Sequence, residues 1–424
     1  MRGSRTLPGV QRTIVVRRLE TPPQSPFNTF HRHPPNESAL RSGIRLAARK
    51  WLLASLHPAS FGGGIAAVKF IEKFFRNRLA IDLGTVNTLI YQPGKGILLN
   101  EPSVVAIDRY DGEVVCVGHK ALKLLGREPR GLEVHRPIRS GSIFNFEVTR
   151  KMLRSFIGKV TDGYRLGHFV VGIPGSATAV EQRSVRDAVH DAGGRRIDLV
   201  DEGLAAGLGA GLAFDDERAH LVVDIGGGTT NIAIVASGGV VTSMSLTAAG
   251  NAMDESIRDY VRSNYCLQIG EYTAEALKRE LGALSDDEIP SDERKVQLVG
   301  KQLSDGSPCA VHITAEEVRE ALEAVITEIV GGIRRVIEDA QPEAVADIYY
   351  SGMILTGGGS LLKGLKDRLQ NDLQLRATMP EDPISTVVLG AGILLDEPEQ
   401  LYRCAIRPNL PVWQEAEELV TRFT

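Results

Sequence analysis

The chain has 424 residues, of which 43% are hydrophobic and 24% are charged, and its formal net charge at pH 7 is −4. Two domains with substantial cores fit this length, and no apolar run reaches the roughly 18 residues of a membrane-spanning helix, so we expect any membrane contact to be peripheral. The four cysteines are scattered without the spacing of a metal site, which favours free thiols in a reducing compartment such as the cytoplasm.

Charge is distributed unevenly along the chain. The first 78 residues hold 14 Lys and Arg against 3 Asp and Glu, whereas the remaining residues hold 35 against 50. Proline pairs and weak periodicity predict that residues 1–62 form a mostly disordered basic extension. An organelle transit peptide shares this Arg-rich, acid-poor composition, and a mis-assigned start, with the native start at Val68, is the plainer alternative.

Residues 63–78 contain a predicted amphipathic helix, which is clearest between Ala67 and Asn77. At about 100° per residue, its apolar side chains fall on one arc and its basic side chains on the opposite arc. A helix packed on the protein body would show the same pattern, whereas an aromatic face opposite Lys and Arg favours an anchor lying in the membrane plane. The side chains expected to enter the membrane are Val68, Phe70, Ile71, Phe74 and Phe75.

Residues 79–218 are predicted to form one half of the fold, with a small peripheral insertion at about 108–140. This half opens with LAIDLGTVNT, in which an apolar strand brings Asp82 to a turn containing Gly84 and Thr85. Alternating strands and helices then indicate a mostly parallel sheet. The later predicted elements are a helix at Phe146–Gly158, a strand at Phe169–Pro174, a helix opened by a capping box of Thr178 and Glu181, a strand at Ile197–Val200 that ends at Asp201 and Glu202, and a helix at Leu204–Leu212.

Residues 219–396 are predicted to form a second half, with an insertion at about 256–314. Its first strand, in VVDIGGGTTN from Val222 to Asn231, again delivers an aspartate, Asp224, to a Gly-rich turn. The later predicted elements are a helix at Asp254–Gly282, short strands at Ser285–Ile313, a helix at Ala315–Ala340, a strand at Ile348–Thr356, a helix at Thr386–Leu395 and a C-terminal tail at 397–424.

The repeated strand-Asp-x-Gly turn favours a phosphate site between two duplicated halves over a pair of ordinary hairpins. Glycine lets main-chain N–H groups approach a phosphate closely. A carboxylate at the strand end can hold a hydrated Mg²⁺, because this ion prefers a few oxygen ligands and keeps its waters. A third Gly-rich turn, MILTGGGSLL from Met353 to Leu362, again follows an apolar run.

These three turns resemble, in order and spacing, the phosphate and adenosine loops of the actin-like ATPase superfamily. The stretches IDLGTVNTLIY, NEPSVVAID, VVDIGGGTTNIAIV and IGEYTAEALKRELG narrow the resemblance to the MreB family of bacterial actin-like shape-determining proteins, over about Phe70 to Glu399. The resemblance implies an α/β, duplicated actin-like (ribonuclease H-like) ATPase fold, with nucleotide in the cleft between the halves. It also implies that the helix at Thr386–Leu395 crosses back to the first half.

The same resemblance implies a site for ATP and Mg²⁺. Asp82 and Asp224 would hold the metal through its waters, and Glu202 and Thr229 would orient the attacking water. For Glu202 and Thr229, the alternative is a surface Glu and an ordinary loop Thr. For Glu275, Lys278 and Arg279, the alternative is a solvated helix face. The residues expected to contact the nucleotide are Gly84, Thr85, Val86, Asn87, Gly226, Gly227, Gly228 and Thr229 at the phosphates, and Glu275, Lys278, Arg279, Gly357, Gly358, Gly359 and Ser360 at the adenosine.

Two departures from the family pattern bear on hydrolysis. Where the family shows E-E-P-M-A-A-A this chain has DEGLAAG, so Gly203 replaces a proline, and we expect a looser turn to aim Glu202. The family's G-G-D-x-M-D appears as AGNAMD, so Asn251 replaces an acidic residue. These departures predict a slow ATPase, or a protein that binds nucleotide without cleaving it.

The leading functional prediction is an ATP-dependent filament former at the inner face of the cell membrane that organises cell-wall synthesis and cell shape. Its expected partners are further copies of itself, the membrane, and cell-wall elongation and shape proteins, with no nucleic acid. The alternatives are a nucleotide-binding paralogue with degenerate hydrolysis, a monomeric DnaK-type chaperone ATPase, and a sugar kinase of the same superfamily, for which we find no matching signature.

Overall fold

The structure is a computed structural model that describes residues 77–161, 167–285 and 294–407, all within one compact unit. The predicted basic extension, the amphipathic segment up to Arg76 and the tail beyond Arg407 lie outside the described residues. Asn77 and Arg78, which the sequence placed at the end of the amphipathic helix, instead begin a strand, because they already pair with a neighbouring strand at Gly167 and His168.

The first half is a five-stranded sheet with helices and a small insertion. Its strands are β1 (Asn77–Leu83), β2 (Asn87–Gln92), β3 (Gly96–Pro102), β4 (Val105–Asp108), β5 (Val114–Val117), β6 (Leu132–His135), β7 (Ile138–Arg139), β8 (Ser142–Ile143), β9 (Gly167–Ile173) and β10 (Gly194–Asp201). Its helices are α1 (His119–Leu122), α2 (Phe146–Val160), α3 (Ala179–Asp191) and α4 (Glu202–Gly209). The main sheet has the order β10-β9-β1-β2-β3, and β5-β4-β6 form a separate sheet inside the predicted insertion.

Local capping explains where the helices of this half begin. The Asn145 side chain accepts a hydrogen bond from Val148 N at the start of α2. Thr178 and Glu181 form both hydrogen bonds of a capping box at the start of α3, which confirms the predicted box. Asp201 caps α4, so Glu202 is the first residue of a helix and not the end of a strand.

The second half repeats this arrangement. Its strands are β11 (His220–Ile225), β12 (Thr230–Ala236), β13 (Gly239–Leu246), β14 (Leu267–Gln268), β15 (Lys295–Gln302), β16 (Pro308–Thr314), β17 (Met353–Thr356) and β18 (Ala377–Thr378). Its helices are α5 (Gly250–Tyr265), α6 (Glu271–Leu281), α7 (Ala315–Glu338), α8 (Pro342–Ser351), α9 (Leu365–Leu373), α10 (Thr386–Asp396) and α11 (Pro398–Cys404), with a 3₁₀ turn at Gly358–Leu361. The main sheet has the order β13-β12-β11-β17-β18, and β14-β15-β16 form its insertion.

The two main sheets have the same pattern of strand directions. β1 is antiparallel to β2 and parallel to β9, and β11 is likewise antiparallel to β12 and parallel to β17. In each sheet one more antiparallel strand and one more parallel strand complete the five. The predicted duplicated α/β fold is therefore confirmed.

Two predicted elements of the second half are wrong. The single helix predicted at Asp254–Gly282 is two helices, α5 and α6, because Cys266 adopts a left-handed conformation with φ 50° and ends α5. Ile348 lies in helix α8, which starts with Pro342 and ends before Gly352, where φ is +76°. The apolar run that suggested a longer strand is thus shared between a helix and the short β17.

Helices α4 and α10 pack closely against each other. A Cβ added at Gly390 of α10 would overlap the Ala205 carbonyl of α4, and one added at Gly209 would overlap the Thr386 carbonyl. Val388 and Ala391 of α10 share one apolar cluster with Ala80 of β1, which confirms that α10 crosses back to the first half. Every helix in the described ranges is too short or too polar to span a lipid bilayer.

Candidate functional site

The two strand-Asp-x-Gly turns meet face to face between the halves. A Cβ added at Gly228 of the second turn would overlap Thr85 of the first turn, and one added at Gly227 would overlap Val86. The second turn can approach so closely only because its backbone carries no side chains at these positions. The turn residues that the sequence assigned to phosphate binding are therefore brought together, with Asp82 and Asp224 on the strands behind them.

Hydrogen bonds hold the first turn in place. Ser103 donates its hydroxyl to the carbonyl of Gly84 at 2.7 Å, and it lies 2.9 Å from the Thr88 hydroxyl. The Thr85 hydroxyl oxygen accepts from Gly141 N at 3.0 Å, so its own proton is available to another acceptor. The Asn87 side chain donates to Asn100 Oδ1 at 3.1 Å on the neighbouring strand.

Carboxyl groups concentrate behind the turns. Burial raises the pKa of Asp224 to about 7, and burial together with the charge of Asp224 raises the pKa of Asp82 to about 7. Burial also raises the pKa of Glu202 well above its usual range, and the charges of Asp82, Asp224 and Asp201 add to this rise. Such a cluster favours a bound cation, because a positive charge would stabilise the ionised carboxylates.

The acidic cluster is not a cage of direct ligands. Within residues 77–161, 167–285 and 294–407, no group of three or more His, Cys, Asp or Glu side chains is arranged to hold a metal ion. Two carboxylates, Asp82 and Asp224, nevertheless lie next to the last residues of β1 and β11, at the Gly-rich turns. This donor set suits a hydrated Mg²⁺, which keeps several waters and needs only one or two carboxylates.

Glu202 is held by residues that the sequence did not assign to the site. Asn231 donates its amide to Glu202 Oε2 at 2.6 Å, and Ser245 donates its hydroxyl to Asn231 Oδ1 at 2.6 Å. The signal in the sequence is the amide residue Asn231, which stands near the start of the mostly apolar strand TNIAIVA. A polar residue in such a strand requires a partner, but the sequence does not identify that partner.

The turn that aims Glu202 is restrained by Asp201, although the sequence predicted a looser turn. Asp201 Oδ1 accepts from Gly203 N at 2.7 Å and from Leu204 N at 3.1 Å. A Cβ at position 203 would overlap the Cβ of Ala233 in β12, so the glycine also permits close contact between the halves. Burial raises the pKa of Asp201 in this position.

Thr229 lines a cavity of about 200 Å³ together with hydroxyl side chains such as Ser140 and Ser245. The β7–β8 turn closes on it, since a Cβ at Gly141 would lie 3.1 Å from Thr229 Cγ2. Ser140 and Gly141 both have positive φ. The sequence analysis did not predict this tight hairpin, for which the Ser-Gly pair is the local signal.

The three predicted adenosine residues of α6 do not act as one group. Lys278 Nζ lies 2.8 Å from the carbonyl of Gly250 and 2.8 Å from Asp254 Oδ1, and Gly250 N donates to Gly226 O at 3.1 Å. Lys278 therefore supports the second Gly-rich turn through the start of α5. Glu275 and Arg279 instead form an ion pair along the outside of the helix, as expected for a solvated helix face.

The third Gly-rich turn lies against the second aspartate. Gly357 has φ +83°, and a Cβ there would overlap the carboxylate of Asp224 and the carbonyl of Ile225. Ser360 is buried and donates its hydroxyl to Gly357 O at 2.6 Å, which closes the turn. The chain after α6 joins the same region, because Leu284 N donates to Lys363 O at 3.1 Å.

Comparison with known proteins gives one consistent family. Residues 76–403 match the family model described as MreB/Mbl protein. The chain is 42% identical over 337 residues to the cell shape-determining protein MreB of Escherichia coli (strain K12), which covers 78% of this chain and 96% of that protein. It is 38% identical over 329 residues to the cell shape-determining protein Mbl of Bacillus subtilis (strain 168), covering 77% of this chain and 98% of that protein.

Solved structures agree with the sequence relatives. MreB5 of Spiroplasma citri bound to ADP superposes with a TM-score of 0.72 at 29% identity, covering 77% of this chain and 98% of that chain. The same protein bound to AMPPNP gives a TM-score of 0.73 at 28% identity, with the same coverage. Both halves of the described fold lie within these matches.

Proposed function

Because the chain belongs to the MreB/Mbl family, we propose that it binds ATP between its two halves and assembles into filaments that organise cell-wall synthesis and cell shape. The observation that carries nucleotide binding is the direct contact between two Gly-rich turns, each backed by an aspartate, of which Asp224 is buried and Asp82 partly buried. The MreB5 relative bound to ADP and to AMPPNP supports the same ligand class. Membership of this family does not fit a monomeric DnaK-type chaperone.

The phosphates would be bound by the facing turns. Main-chain N–H groups of Gly226 to Gly228 and the Thr85 hydroxyl are the proposed donors, since Thr85 already accepts from Gly141 and can donate its own proton. Asp82 and Asp224 would hold Mg²⁺ through its waters, and the metal would neutralise charge on the phosphates. The turn from Gly357 to Ser360 is the proposed adenosine contact.

Hydrolysis would depend on Glu202 and Thr229, which we propose to orient the attacking water from two sides of the cleft. Glu202 must be ionised to accept a proton or a strong hydrogen bond from water. Gly203 and Asn251, which depart from the family pattern, favour a second candidate function in which nucleotide is bound and not cleaved. The pKa of Glu202 is raised by burial and by neighbouring carboxylates. A cation held by Asp82 and Asp224 would oppose that rise.

Sedimentation combined with phosphate release tests the proposed function. The full chain with Mg²⁺ and ATP should pellet more than the same chain with EDTA and ATP, and phosphate should appear slowly in the first sample. Pelleting without phosphate release would support the second candidate. A chain that binds no ATP, or that pellets equally in both samples, contradicts the proposal.

We further propose that the segment before β1 attaches the filament to the inner face of the membrane. The described chain begins at the amino end of β1, and Asp82 lies near the carboxyl end of the same strand. Burial of Phe70, Ile71, Phe74 and Phe75 would contribute roughly 1.5 to 3 kcal/mol each before ordering costs. Lys69, Lys73 and Arg76 would add about 1 kcal/mol each near an anionic surface, and filament formation would multiply the effect by avidity.

Liposome pelleting tests the anchor. Replacing Phe74 and Phe75 with Asp should abolish pelleting with anionic liposomes while leaving ATP binding unchanged. Phe144→Asp is the matched control, because Phe144 is 67% exposed on the described surface and lies outside the proposed anchor. A double variant that still binds liposomes, or a wild-type chain that never does, would show that the segment packs on the protein body.

A further inference from the structure

Three polar residues form one row across the sheet of the second half. In the antiparallel register Asp224 of β11 lies opposite Asn231 of β12, and Asn231 lies opposite Ser245 of β13. Directly opposed residues on antiparallel strands project from the same face of the sheet. The row therefore directs three polar side chains toward the same side of the sheet, where Glu202 of the first half is also bound.

The central residue of this row contacts Glu202 across the cleft. Asn231 is 5% exposed and Glu202 is 8% exposed, so solvent cannot replace their 2.6 Å hydrogen bond freely. An amide can present either its oxygen or its nitrogen to a neighbour. The carboxylate of Glu202 only accepts when it is ionised, so it faces the amide nitrogen, and the Ser245 hydroxyl supports this orientation by donating to Asn231 Oδ1.

We propose that Asn231, oriented by Ser245, is a positioning residue that fixes the carboxylate of Glu202 beside Asp82 and Asp224. Glu202 needs such a restraint, because it has three rotatable bonds and lies near carboxylates of like charge. Space on its other side is provided by Gly172, where an added Cβ would lie 3.3 Å from Glu202 Cγ. This inference rests on the proposed hydrolytic function, for which Glu202 must be held in one orientation.

The contact also depends on the approach of the two halves. Glu202 is the first residue of α4 in the first half, whereas Asn231 and Ser245 belong to strands of the second half. A carboxylate anchored across the cleft is correctly placed only when the halves are together. Leu204 and Leu208 of α4 share one buried apolar cluster with Val222 and Ala233 of the second half, so this contact is part of the packing between the halves.

Steady-state kinetics provide the first test. Asn231→Leu keeps the side-chain size but removes the amide, and it should lower kcat about 10-fold or more, with KM for ATP within about 2-fold. Ser245→Ala should lower kcat less, because the amide is then free to flip. Ser243→Ala is the matched control, since Ser243 lies on the same strand but opposite Ala233, and it should leave kcat unchanged.

A double-mutant cycle separates positioning from general damage. In a Glu202→Gln background, Asn231→Leu should change kcat by less than about 2-fold, because the carboxylate through which Asn231 acts is already absent. An equal loss of kcat in both backgrounds, or an Asn231→Leu variant with wild-type kcat, would overturn the proposal.

Thermal unfolding of the nucleotide-free chain gives a readout that does not need activity. The Tm changes caused by Asn231→Leu and by Glu202→Ala should be non-additive, because each removes the partner of the other. If the wild type releases no phosphate, the hydrolytic function fails, and this cycle alone decides whether Asn231 holds Glu202. Additive Tm shifts would overturn the positioning role.

Discussion

The two halves place their aspartates identically but surround them differently. Asp82 is opposite Leu89 on the antiparallel side and Gly172 on the parallel side. Asp224 occupies the same place in its sheet but is opposite Asn231 and Thr356. The duplicated framework thus accounts for the paired carboxylates, whereas substitutions at the flanking positions give the halves different tasks.

The turns differ in a complementary way. The first turn carries the side chains of Thr85 and Val86, and the second presents bare backbone at Gly227 and Gly228 to receive them. The first half also supplies Glu202 and the space beside Gly172, while the second supplies the amide that binds it. Each half therefore holds only part of the candidate site, and the proposed chemistry would depend on their contact.

The largest expected effect comes from Glu202, which belongs to the first half. Glu202→Gln should slow phosphate release about 100-fold or more, because it removes the group proposed to orient and activate water. ATP affinity should change little, since this role acts on the chemical step. Phosphate release and equilibrium nucleotide binding measure the two effects, and unchanged turnover would remove Glu202 from the mechanism.

A smaller effect is expected from Asp82 and Asp224, the carboxylates at corresponding positions of the two halves. Asp82→Asn and Asp224→Asn should each weaken ATP binding in Mg²⁺ about 10-fold or more, since each removes a partner of the hydrated metal. Nucleotide titrations with Mg²⁺ and with EDTA measure the ATP affinity of each variant. The loss of affinity should be smaller when EDTA removes the metal. A loss confined to one variant would mean that the duplicated positions do not share the cation.

The last comparison concerns stability and not activity, at the contact between α4 and β12. Gly203→Ala should destabilise the chain by about 1 to 3 kcal/mol, because its Cβ overlaps that of Ala233. Adding Ala233→Gly should recover part of this loss, which denaturant unfolding can measure. Gly158→Ala in α2 is the matched control, since nothing lies within 4 Å of its added Cβ and the helix should tolerate it. A Gly203→Ala chain of wild-type stability would show that the halves separate readily at this point.

The sequence alone determined the features that depend on neighbouring residues. The positions of Asp82 and Asp224 before their turns follow from apolar strands interrupted by glycine, and the start of α3 follows from the Thr178–Glu181 capping box. Repetition of the same local pattern was enough to predict a duplicated fold. The functional roles of these residues stay predictions.

Tertiary structure decided the contacts between residues that are distant in the chain. Asn231 binds Glu202 across 29 positions and Lys278 binds the Gly250 carbonyl across 28, and no local pattern specifies either partner. The break between α5 and α6 depends on one left-handed residue, Cys266, whose type does not signal that conformation. Periodicity and turn chemistry act over a few residues, whereas these contacts arise only when the two sheets and their helices pack together.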